Sequence, residues 1–259
     1  MMIVIAAGFL GLMVGSFINV LVLRFGFVEG RRPRSACMAC GEDLAWHELV
    51  PVLSYLLLRA RCAHCGTRLS WQYPAVEIGT SLLFVATVST HLAPAISFAL
   101  LTAVTCVFWA AFMALLVYDI RHTLVPLPFA LTLIAAATTA ALVAAWIAGD
   151  PTIILGSIEG GALLAGVIAF LVIVTRGKGM GTGDIYVAGA IGILLGLGRG
   201  FDTLVMAFWI GAVVGIVLMA LKTGVRMKSE VPFVPFLFVA CVLGYFTSFS
   251  PFLWIANHF

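Results

Sequence analysis

The sequence contains very few charged residues. Only 14 lysines and arginines and 11 aspartates and glutamates occur among 259 residues, and 63% of all residues are hydrophobic. A soluble domain of this length could not bury so much apolar surface, so most of the chain requires lipid as its solvent. The scarcity of charge therefore excludes a water-soluble globular protein.

Several features of other protein classes are also missing. The sequence has no low-complexity tract, no convincing internal repeat and no basic stretch with interleaved aromatic residues, so nothing indicates nucleic-acid binding. The glycine-rich segment 179–184 lacks the Lys-Ser or Lys-Thr pair that would make it a phosphate-binding loop. No basic residue precedes the first apolar run and no small-residue cleavage site follows it. This run is therefore interpreted as a retained membrane span rather than a signal peptide.

Long apolar runs make up most of the chain. Eight of them are predicted to cross the membrane, which predicts an all-α polytopic fold with about eight transmembrane helices. The sixth run is short, and its boundary with the seventh falls around Gly196 to Asp202. The predicted spans are 1–23, 73–90, 95–118, 124–148, 152–175, 184–198, 203–221 and 231–256.

Positive charge lies almost entirely on one side of this predicted topology. Arg199 is the single basic residue on the other side. Because cytoplasmic loops of membrane proteins are enriched in Lys and Arg, the basic side is predicted to be cytoplasmic and both termini periplasmic. The basic residues assigned to the cytoplasmic side are Arg24, Arg31, Arg32, Arg34, Arg59, Arg61, Arg68, Arg121, Arg176, Lys178, Lys222, Arg226 and Lys228.

One polar region is large enough to fold outside the membrane. It divides the chain into a first transmembrane helix at 1–25, a cytoplasmic insertion at 26–72 and a membrane domain of about seven helices at 73–259. The insertion contains two Cys-x-x-Cys pairs, each followed by a glycine that allows a tight turn around a metal ion. Four thiolates at this spacing suit tetrahedral Zn²⁺, and metal binding would supply much of the folding free energy of so small a module. The predicted ligands are Cys37, Cys40, Cys62 and Cys65.

The same four cysteines could serve other purposes. Two disulfides would use all of them, although the charge distribution places this region in the reducing compartment. A redox-active Cys-x-x-Cys pair is a further alternative, but such a motif normally occurs singly. His47 and His64 are interpreted as ordinary polar residues, because four thiolates already complete the coordination shell of the metal.

Two aspartates lie at the edges of long uncharged stretches. Asp119 ends the third span and Asp184 begins the sixth, so both are predicted on the cytoplasmic side. An ionisable carboxylate beside hydrocarbon costs free energy and is usually functional. Two nearby carboxylates that share a proton can activate water for peptide hydrolysis, one acting as base and the other polarising the scissile carbonyl.

The aspartates alone leave two other functions open. They could bind a proton or cation in a transporter, or they could be structural groups such as interfacial anchors or helix caps. Gly181 and Gly183 are predicted to let their loop approach a substrate closely and to permit φ values closed to other residues. Glu77, near the cytoplasmic edge of the second span, is predicted to be solvated and structural.

The ordered motifs of the chain resemble those of the type IV prepilin peptidases, bacterial inner-membrane aspartic proteases of the Gly-x-Gly-Asp kind. The resemblance covers most of the chain, and the combination of motifs is more specific than any one of them. The motifs that carry it are Gly15-Ser16-Phe17-Ile18-Asn19-Val20 with Arg24; Arg34-Ser35 and the paired cysteines; Leu44, Trp46, Pro51, Ser54-Tyr55 and Arg59-Ala60-Arg61-Cys62; Tyr73-Pro74-Ala75-Val76-Glu77; Asp119; Gly181-Thr182-Gly183-Asp184; and Pro232-Phe233-Val234-Pro235-Phe236.

This resemblance implies an endopeptidase that removes the leader from type IV prepilins or pseudopilins at the cytoplasmic face of the inner membrane. Its catalytic residues would be Asp119 and Asp184, and its tetracysteine region would bind structural Zn²⁺. It also implies N-methylation of the new N-terminus with S-adenosylmethionine, a cofactor for which the residues themselves show no fingerprint. The clients would belong to a pilus, a type II secretion system or a competence filament. An ion- or proton-coupled transporter and a zinc-dependent assembly scaffold are the alternatives.

Four positions depart from the family pattern without touching a catalytic carboxylate or a metal ligand. Leu127 follows Pro126 where the family often has aspartate, and Tyr186 stands where a lysine is common. Val234 replaces the glycine of the Phe-Gly-Pro motif, and Met38 replaces a frequent proline between the first cysteines. These departures bear on substrate preference and on the methyl-transfer activity.

Overall fold

The fold was analysed in a computed structural model that describes residues 1–25, 35–91, 95–177, 180–221 and 232–247. Over these residues the chain is helical, with two isolated β-bridges and no extended strand. Five of the described helices are long and apolar enough to cross a membrane, and the prediction of an all-α membrane protein is confirmed. The chain divides into two compact units, Met1–Leu92 and Ala93–Phe259.

The first unit is built on two long helices that pack along each other. Helix α1 covers Met2–Arg24, the short helix α2 covers Leu53–Leu57, and α3 covers Gln72–Thr90. The backbones of α1 and α3 approach so closely at Gly15 that a Cβ atom there would lie 2.6 Å from the Cα atom of Glu77. Small residues allow this kind of close helix contact inside a membrane.

Polar side chains join the cytoplasmic ends predicted for α1 and α3. Asn19 is buried and donates from Nδ2 to the carbonyl oxygens of Gly15 and Tyr73, at 3.3 and 3.2 Å. Gln72 Nε2 donates to Asn19 Oδ1 at 3.3 Å. Glu77 is only 6% exposed and accepts a 2.8 Å hydrogen bond from the backbone N–H of Val52. The expectation of a solvated Glu77 is therefore wrong, while its structural role stays a prediction.

The described residues of the second unit form five helices, and short connections join α4 to α5 and α5 to α6. They are α4, Ile96–His122; α5, Leu127–Ala148; α6, Thr152–Val174; α7, Gly183–Ala220; and α8, Val234–Phe246. Thr123 after α4 and Gly149 after α5 adopt the left-handed conformation that commonly ends a helix.

An aromatic cluster joins α4 to α8. Phe108, Trp109 and Phe112 of α4 are completely buried. Phe238 of α8 meets Trp109 and Phe112 edge-to-face, with ring centroids 6.3 and 5.1 Å apart. Such aromatic pairs add stabilisation beyond the burial of their surface, so α8 is fixed firmly against α4.

Helix α7 corrects the predicted span boundaries. The predicted spans 184–198 and 203–221 form one helical element of 38 residues, interrupted at Gly196, where φ is 74° and ψ is −179°. A continuous helix of this length would measure about 57 Å, well beyond a hydrocarbon core of about 30 Å. A bend is therefore required, and glycine is the residue that adopts positive φ without strain. The count of eight separate spans is not confirmed.

The other helices agree with the predicted spans to within about four residues, with one exception. Helix α8 ends at Phe246, whereas the last span was predicted to end at 256, outside the described residues.

Arg199, the isolated basic residue, donates from Nη2 to the carbonyl oxygens of Gly244 and Tyr245 at 2.6 and 3.1 Å. Cations stabilise helix C-termini, and this contact explains an arginine on the side with little positive charge.

Candidate functional site

Asp119 lies one turn before the end of α4. Its backbone carbonyl accepts a 2.8 Å hydrogen bond from the N–H of Thr123, which closes the helix. The residue is only 4% exposed, because α4 packs against both α5 and α8. The end of α4 thus presents a carboxylate inside the second unit rather than to solvent.

Asp184 lies in the first turn of α7 and is 6% exposed. Its Oδ2 atom accepts a 3.0 Å hydrogen bond from the backbone N–H of Gly181, and its own N–H donates to the Gly181 carbonyl oxygen at 3.2 Å. The first turn of a helix favours an anion because its N–H groups and macrodipole point toward it. This local geometry confirms the expected place of Asp184 at a helix N-terminus.

The two carboxylates, 65 positions apart in the sequence, belong to one neighbourhood. Asp119 and Asp184 are close enough for their charges to repel each other. The backbone N–H of Val234 also interacts with the Asp119 carboxylate. Within the described part of the chain, Asp119 Oδ2 is buried and has no hydrogen-bond partner. One oxygen of the pair is therefore available to accept a hydrogen bond from a reacting group.

The glycines before Asp184 have different roles. A Cβ atom on Gly183 would overlap the side chain of Val125, in the loop that follows α4. A Cβ atom on Gly181 would meet nothing nearer than Asp184 Oδ2, at 3.7 Å. Neither glycine has a positive φ, so the expectation of backbone angles closed to other residues is wrong for both. Gly183 is required instead by the close approach of the loop after α4.

Val125 and Val234 contact this site and were not predicted as site residues. Pro235, next to Val234, could have signalled the start of a helix, since proline is favoured in the first helical turn. A helix start is a favourable place for a carboxylate, but which carboxylate it meets depends on tertiary packing. No sequence signal identifies Val125.

The first unit contains a second cluster of reactive side chains. The Sγ atoms of Cys37, Cys40, Cys62 and Cys65 all lie within 4.8 Å of one another. Cys37 Sγ is 3.9 Å from Cys65 Sγ, and all four cysteines are free. Sulfur atoms bound to one tetrahedral Zn²⁺ at about 2.3 Å are separated by about 3.8 Å. The cluster could therefore hold a metal ion, and the disulfide alternative does not fit it.

The two halves of this cluster are built alike. The N–H groups of Gly41 and Gly66 donate to the carbonyl oxygens of Cys37 and Cys62, at 2.8 and 3.0 Å. Both glycines have positive φ, 73° and 71°, which confirms the tight turns expected after each second cysteine. His64 lies 3.6 Å from Glu48 Oε2 and does not belong to the cluster.

Hydrogen bonds favour the thiolate form of two of the cysteines. The backbone N–H groups of Cys40 and Ala39 lower the pKa of Cys37. Hydrogen bonding to the side chain and backbone of Thr67 lowers the pKa of Cys65 to about 6, and the Thr67 hydroxyl oxygen lies 3.2 Å from Cys65 Sγ. Since the thiolate is the form of cysteine that binds metals, the surroundings of Cys37 and Cys65 suit a cation, whereas the pKa of Cys40 is raised to about 11.

Comparison with known proteins shows the family to which the chain belongs. The family described as the bacterial peptidase A24 N-terminal domain matches residues 9–91. A prepilin leader peptidase/N-methyltransferase of Bacillus subtilis is 34% identical over 245 residues, covering 91% of this chain and 90% of the relative. The chain belongs to the prepilin leader peptidase/N-methyltransferase family.

Further members of this family match over similar lengths. The Myxococcus xanthus protein of that name is 35% identical over 230 residues, covering 83% of this chain but only 62% of the relative. The Pseudomonas putida protein is 30% identical over 258 residues, covering 89% of this chain and 86% of the relative. No solved structure gave a significant match. The resemblance to the type IV prepilin peptidases is confirmed, and the transporter alternative has no support among these relatives.

Proposed function

We propose that this protein is a membrane aspartic endopeptidase that removes the leader peptide from type IV prepilins or pseudopilins. The observation that carries the proposal is the pair of buried, mutually repelling carboxylates at Asp119 and Asp184, one of them with an unpartnered oxygen. Similarity to prepilin leader peptidases supplies the substrate class. The membrane-spanning helices and these bacterial relatives support a place in the inner membrane.

The two aspartates share the acid and base roles. Like charges at short range disfavour double ionisation, so the pair holds one proton between them. The ionised carboxylate removes a proton from water as the water oxygen attacks the carbonyl carbon of the scissile peptide bond. The protonated carboxyl donates its proton to the carbonyl oxygen. As the tetrahedral intermediate collapses and its C–N bond breaks, the first carboxyl protonates the leaving amine. The second carboxylate takes a proton back from a hydroxyl of the intermediate, so the pair again holds one proton.

Backbone hydrogen bonds support both carboxylates in these roles. Asp184 accepts from the N–H of Gly181, and the N–H of Val234 is proposed to donate to the ionised Asp119 carboxylate. Hydrogen bonds to an ionised carboxylate favour its charged form, so either member of the pair is able to carry the negative charge. Gly181 and Gly183 form the substrate loop, in which Gly183 keeps the start of α7 against Val125.

The Val234 N–H can be tested by replacing the residue with its α-hydroxy analogue, which exchanges the N–H for an ester oxygen and keeps the side chain. We expect kcat/KM for leader cleavage to fall by roughly 10- to 100-fold, because a hydrogen bond to a charged group contributes about 1.5–3 kcal/mol. Val234→Ala keeps the N–H and should remain close to wild type.

The matched control places the same α-hydroxy acid at Val239, in the middle of α8. That N–H serves the helix rather than a carboxylate, so this variant reports the general cost of an ester in α8. Equal losses of kcat/KM at the two positions would show that the N–H of Val234 has no specific role in the site.

The tetracysteine cluster is proposed to bind one structural Zn²⁺ through Cys37, Cys40, Cys62 and Cys65. All-cysteine ligation closes the coordination shell, which is typical of structural rather than catalytic zinc. The ion would hold the two Cys-x-x-Cys turns together as the core of the insertion at 26–72.

The helix at 1–25 and the peptidase domain at 73–259 complete the proposed domain organisation. The charge distribution supports a cytoplasmic location for the insertion and the catalytic pair, with both termini periplasmic.

The protein is also proposed to N-methylate the amine that cleavage exposes, as its bifunctional relatives are named for doing. S-adenosylmethionine would supply the methyl group. A cavity of about 220 Å³ between α5, α6 and α7 is lined almost entirely by apolar residues and does not fit this charged, adenine-bearing cofactor. We therefore assign it no residues and derive no methyl-transfer step.

One experiment tests both activities. Purified protein is incubated with a candidate prepilin, with and without S-adenosylmethionine, and the product N-terminus is read by mass spectrometry. We expect the leader to be removed in both reactions and the mass of one methylene to be added only when the cofactor is present. An intact prepilin, together with ion or proton flux in proteoliposomes, would instead favour a transporter.

A further inference from the structure

The cysteine-containing part of the first unit carries an exposed row of large apolar side chains. In α2, Leu53, Leu56 and Leu57 have the i, i+3, i+4 spacing that places residues on one helix face, and all three are exposed. Trp46 and Leu49, at the two ends of the preceding 3₁₀ turn, are exposed as well, Trp46 to 80%. These five residues are called the apolar row below. Adjacent exposed residues of this size mark an interaction surface.

The start of α2 is held beside a helix that packs along α1, a membrane-spanning candidate. The N–H of Val52, the residue before α2, donates to Glu77 Oε2 at 2.8 Å. Glu77 lies five positions after Gln72, the first residue of α3, and therefore about 7.5 Å along that helix. The apolar row therefore begins beside the packed pair of α1 and α3, about 7.5 Å along α3, rather than at the tip of a domain that projects away from these helices.

The neighbouring part of α1 indicates that the apolar row lies near the membrane surface. Gly15 of α1 contacts the backbone of Glu77, and Arg24 ends α1 nine positions later, about 13 Å farther along. The buried polar contacts of Asn19 lie between these two points. Polar groups followed by a basic residue are typical of the region where a helix leaves the hydrocarbon core for the headgroups.

Basic residues follow the apolar row directly. Arg59, Arg61 and Arg68 are all exposed, and an antiparallel bridge pairs Arg61 with Arg68. The bridge brings the backbones of these two exposed arginines together, so it concentrates positive charge on this part of the surface. Arginines next to exposed tryptophan and leucine match the chemistry of a bilayer surface, with anionic headgroups above acyl chains.

We infer that the apolar row inserts into the bilayer surface while Arg59, Arg61 and Arg68 bind anionic lipid headgroups. The zinc-binding module then lies on the membrane as an interfacial element rather than moving freely in the aqueous phase. Trp46 occupies the depth that tryptophan favours at membrane interfaces, and the leucines of α2 reach the upper part of the acyl chains. This inference is independent of the proposed peptidase activity.

Photo-cross-linking of the full-length protein tests the inserted row. Benzoylphenylalanine replaces Leu57 in one variant and Met38 in another, two apolar positions of similar exposure, 72% and 80%. The proteins are reconstituted in nanodiscs containing phosphatidylglycerol, irradiated and analysed by mass spectrometry. We expect lipid adducts on the order of tenfold more abundant at position 57, because only that position reaches acyl chains.

The basic residues are tested by changing the charge of lipid and protein separately. Exchanging phosphatidylglycerol for phosphatidylcholine should lower the lipid adduct at position 57 by a few-fold. In an Arg59→Gln, Arg61→Gln, Arg68→Gln variant the yield should already be low and independent of lipid charge. Metal content is measured in every variant to show that the cysteine cluster is intact.

Three results would overturn the inference. Equal lipid labelling at positions 57 and 38 would mean that exposure alone decides the yield. Adducts at position 57 with a second copy of the chain, or with other residues of the same chain, would make the row a protein-binding surface. If the lipid-adduct yield at position 57 does not change with lipid charge in the protein that retains the three arginines, the arginines do not bind the headgroups.

Discussion

Asp119→Asn and Asp184→Asn are each expected to abolish leader cleavage. Asparagine has the shape of aspartate and can still accept the N–H of Val234 or Gly181, so the local structure should persist. It cannot exchange a proton with water or with a carbonyl oxygen. Because positioned acid–base groups contribute about 10²–10⁴-fold to rate, initial cleavage rates should fall by at least about a hundredfold in either variant.

The two effects should not multiply. Both residues serve one proton-transfer unit, so the double variant should be hardly slower than either single variant, as is usual for groups that act together. Replacing one buried carboxylate with an amide also removes the repulsion between the pair, so the thermal midpoint should stay equal or rise. Asp150→Asn, in the exposed connection between α5 and α6, is the matched control and should cleave normally. Normal cleavage by Asp119→Asn or Asp184→Asn would disprove the catalytic assignment.

Loss of the metal is expected to unfold the cysteine-containing module. The wild-type protein should carry about one zinc per chain, measured by elemental mass spectrometry, and Cys37→Ser or Cys62→Ser should lower it strongly. Both cysteines are buried, and a structural zinc site of this type contributes on the order of 10 kcal/mol to folding. Limited proteolysis should then cut between residues 35 and 71 in the variants but not in the wild type.

Cys106→Ser makes the same chemical change outside the cluster and should leave zinc content and protease resistance unaltered. A strong chelator should reproduce the proteolysis pattern of the ligand variants in the wild-type protein. Full metal occupancy after replacement of both Cys37 and Cys62 would rule out these ligands. Because the proposed role of zinc is structural, we expect the ligand variants to lose leader cleavage only as a consequence of unfolding of the cysteine-containing module.

The cysteine cluster was predictable because its determinants are local. Two Cys-x-x-Cys pairs with a following glycine encode two equal turns, and the hydrogen bonds of Gly41 and Gly66 form within each turn. The helices were predictable for a related reason, since lipid demands long apolar runs whose backbone hydrogen bonds are satisfied internally. The positions of Asp119 and Asp184 at helix ends follow from the same runs.

What the sequence did not reveal depends on contacts between distant segments. Glu77 looked solvated from its position near a span end, but it is buried by packing of α1 and by the loop before α2. The N–H of Val234 reaches Asp119 only because the aromatic cluster fixes α8 against α4. Gly196 has a non-helical conformation within α7 and lies in the region, Gly196 to Asp202, where the boundary between two spans was predicted, but no separate loop follows it.

The contact between Gly183 and Val125 links the segments that follow and precede the two acids. Because no room remains for even a methyl group between them, the start of α7 cannot move toward the connection after α4. A polypeptide substrate of the proposed peptidase would therefore have to move both segments together or enter from another direction. The contact between Gly183 and Val125 in this way keeps these two segments, and with them the acids, from being drawn closer together.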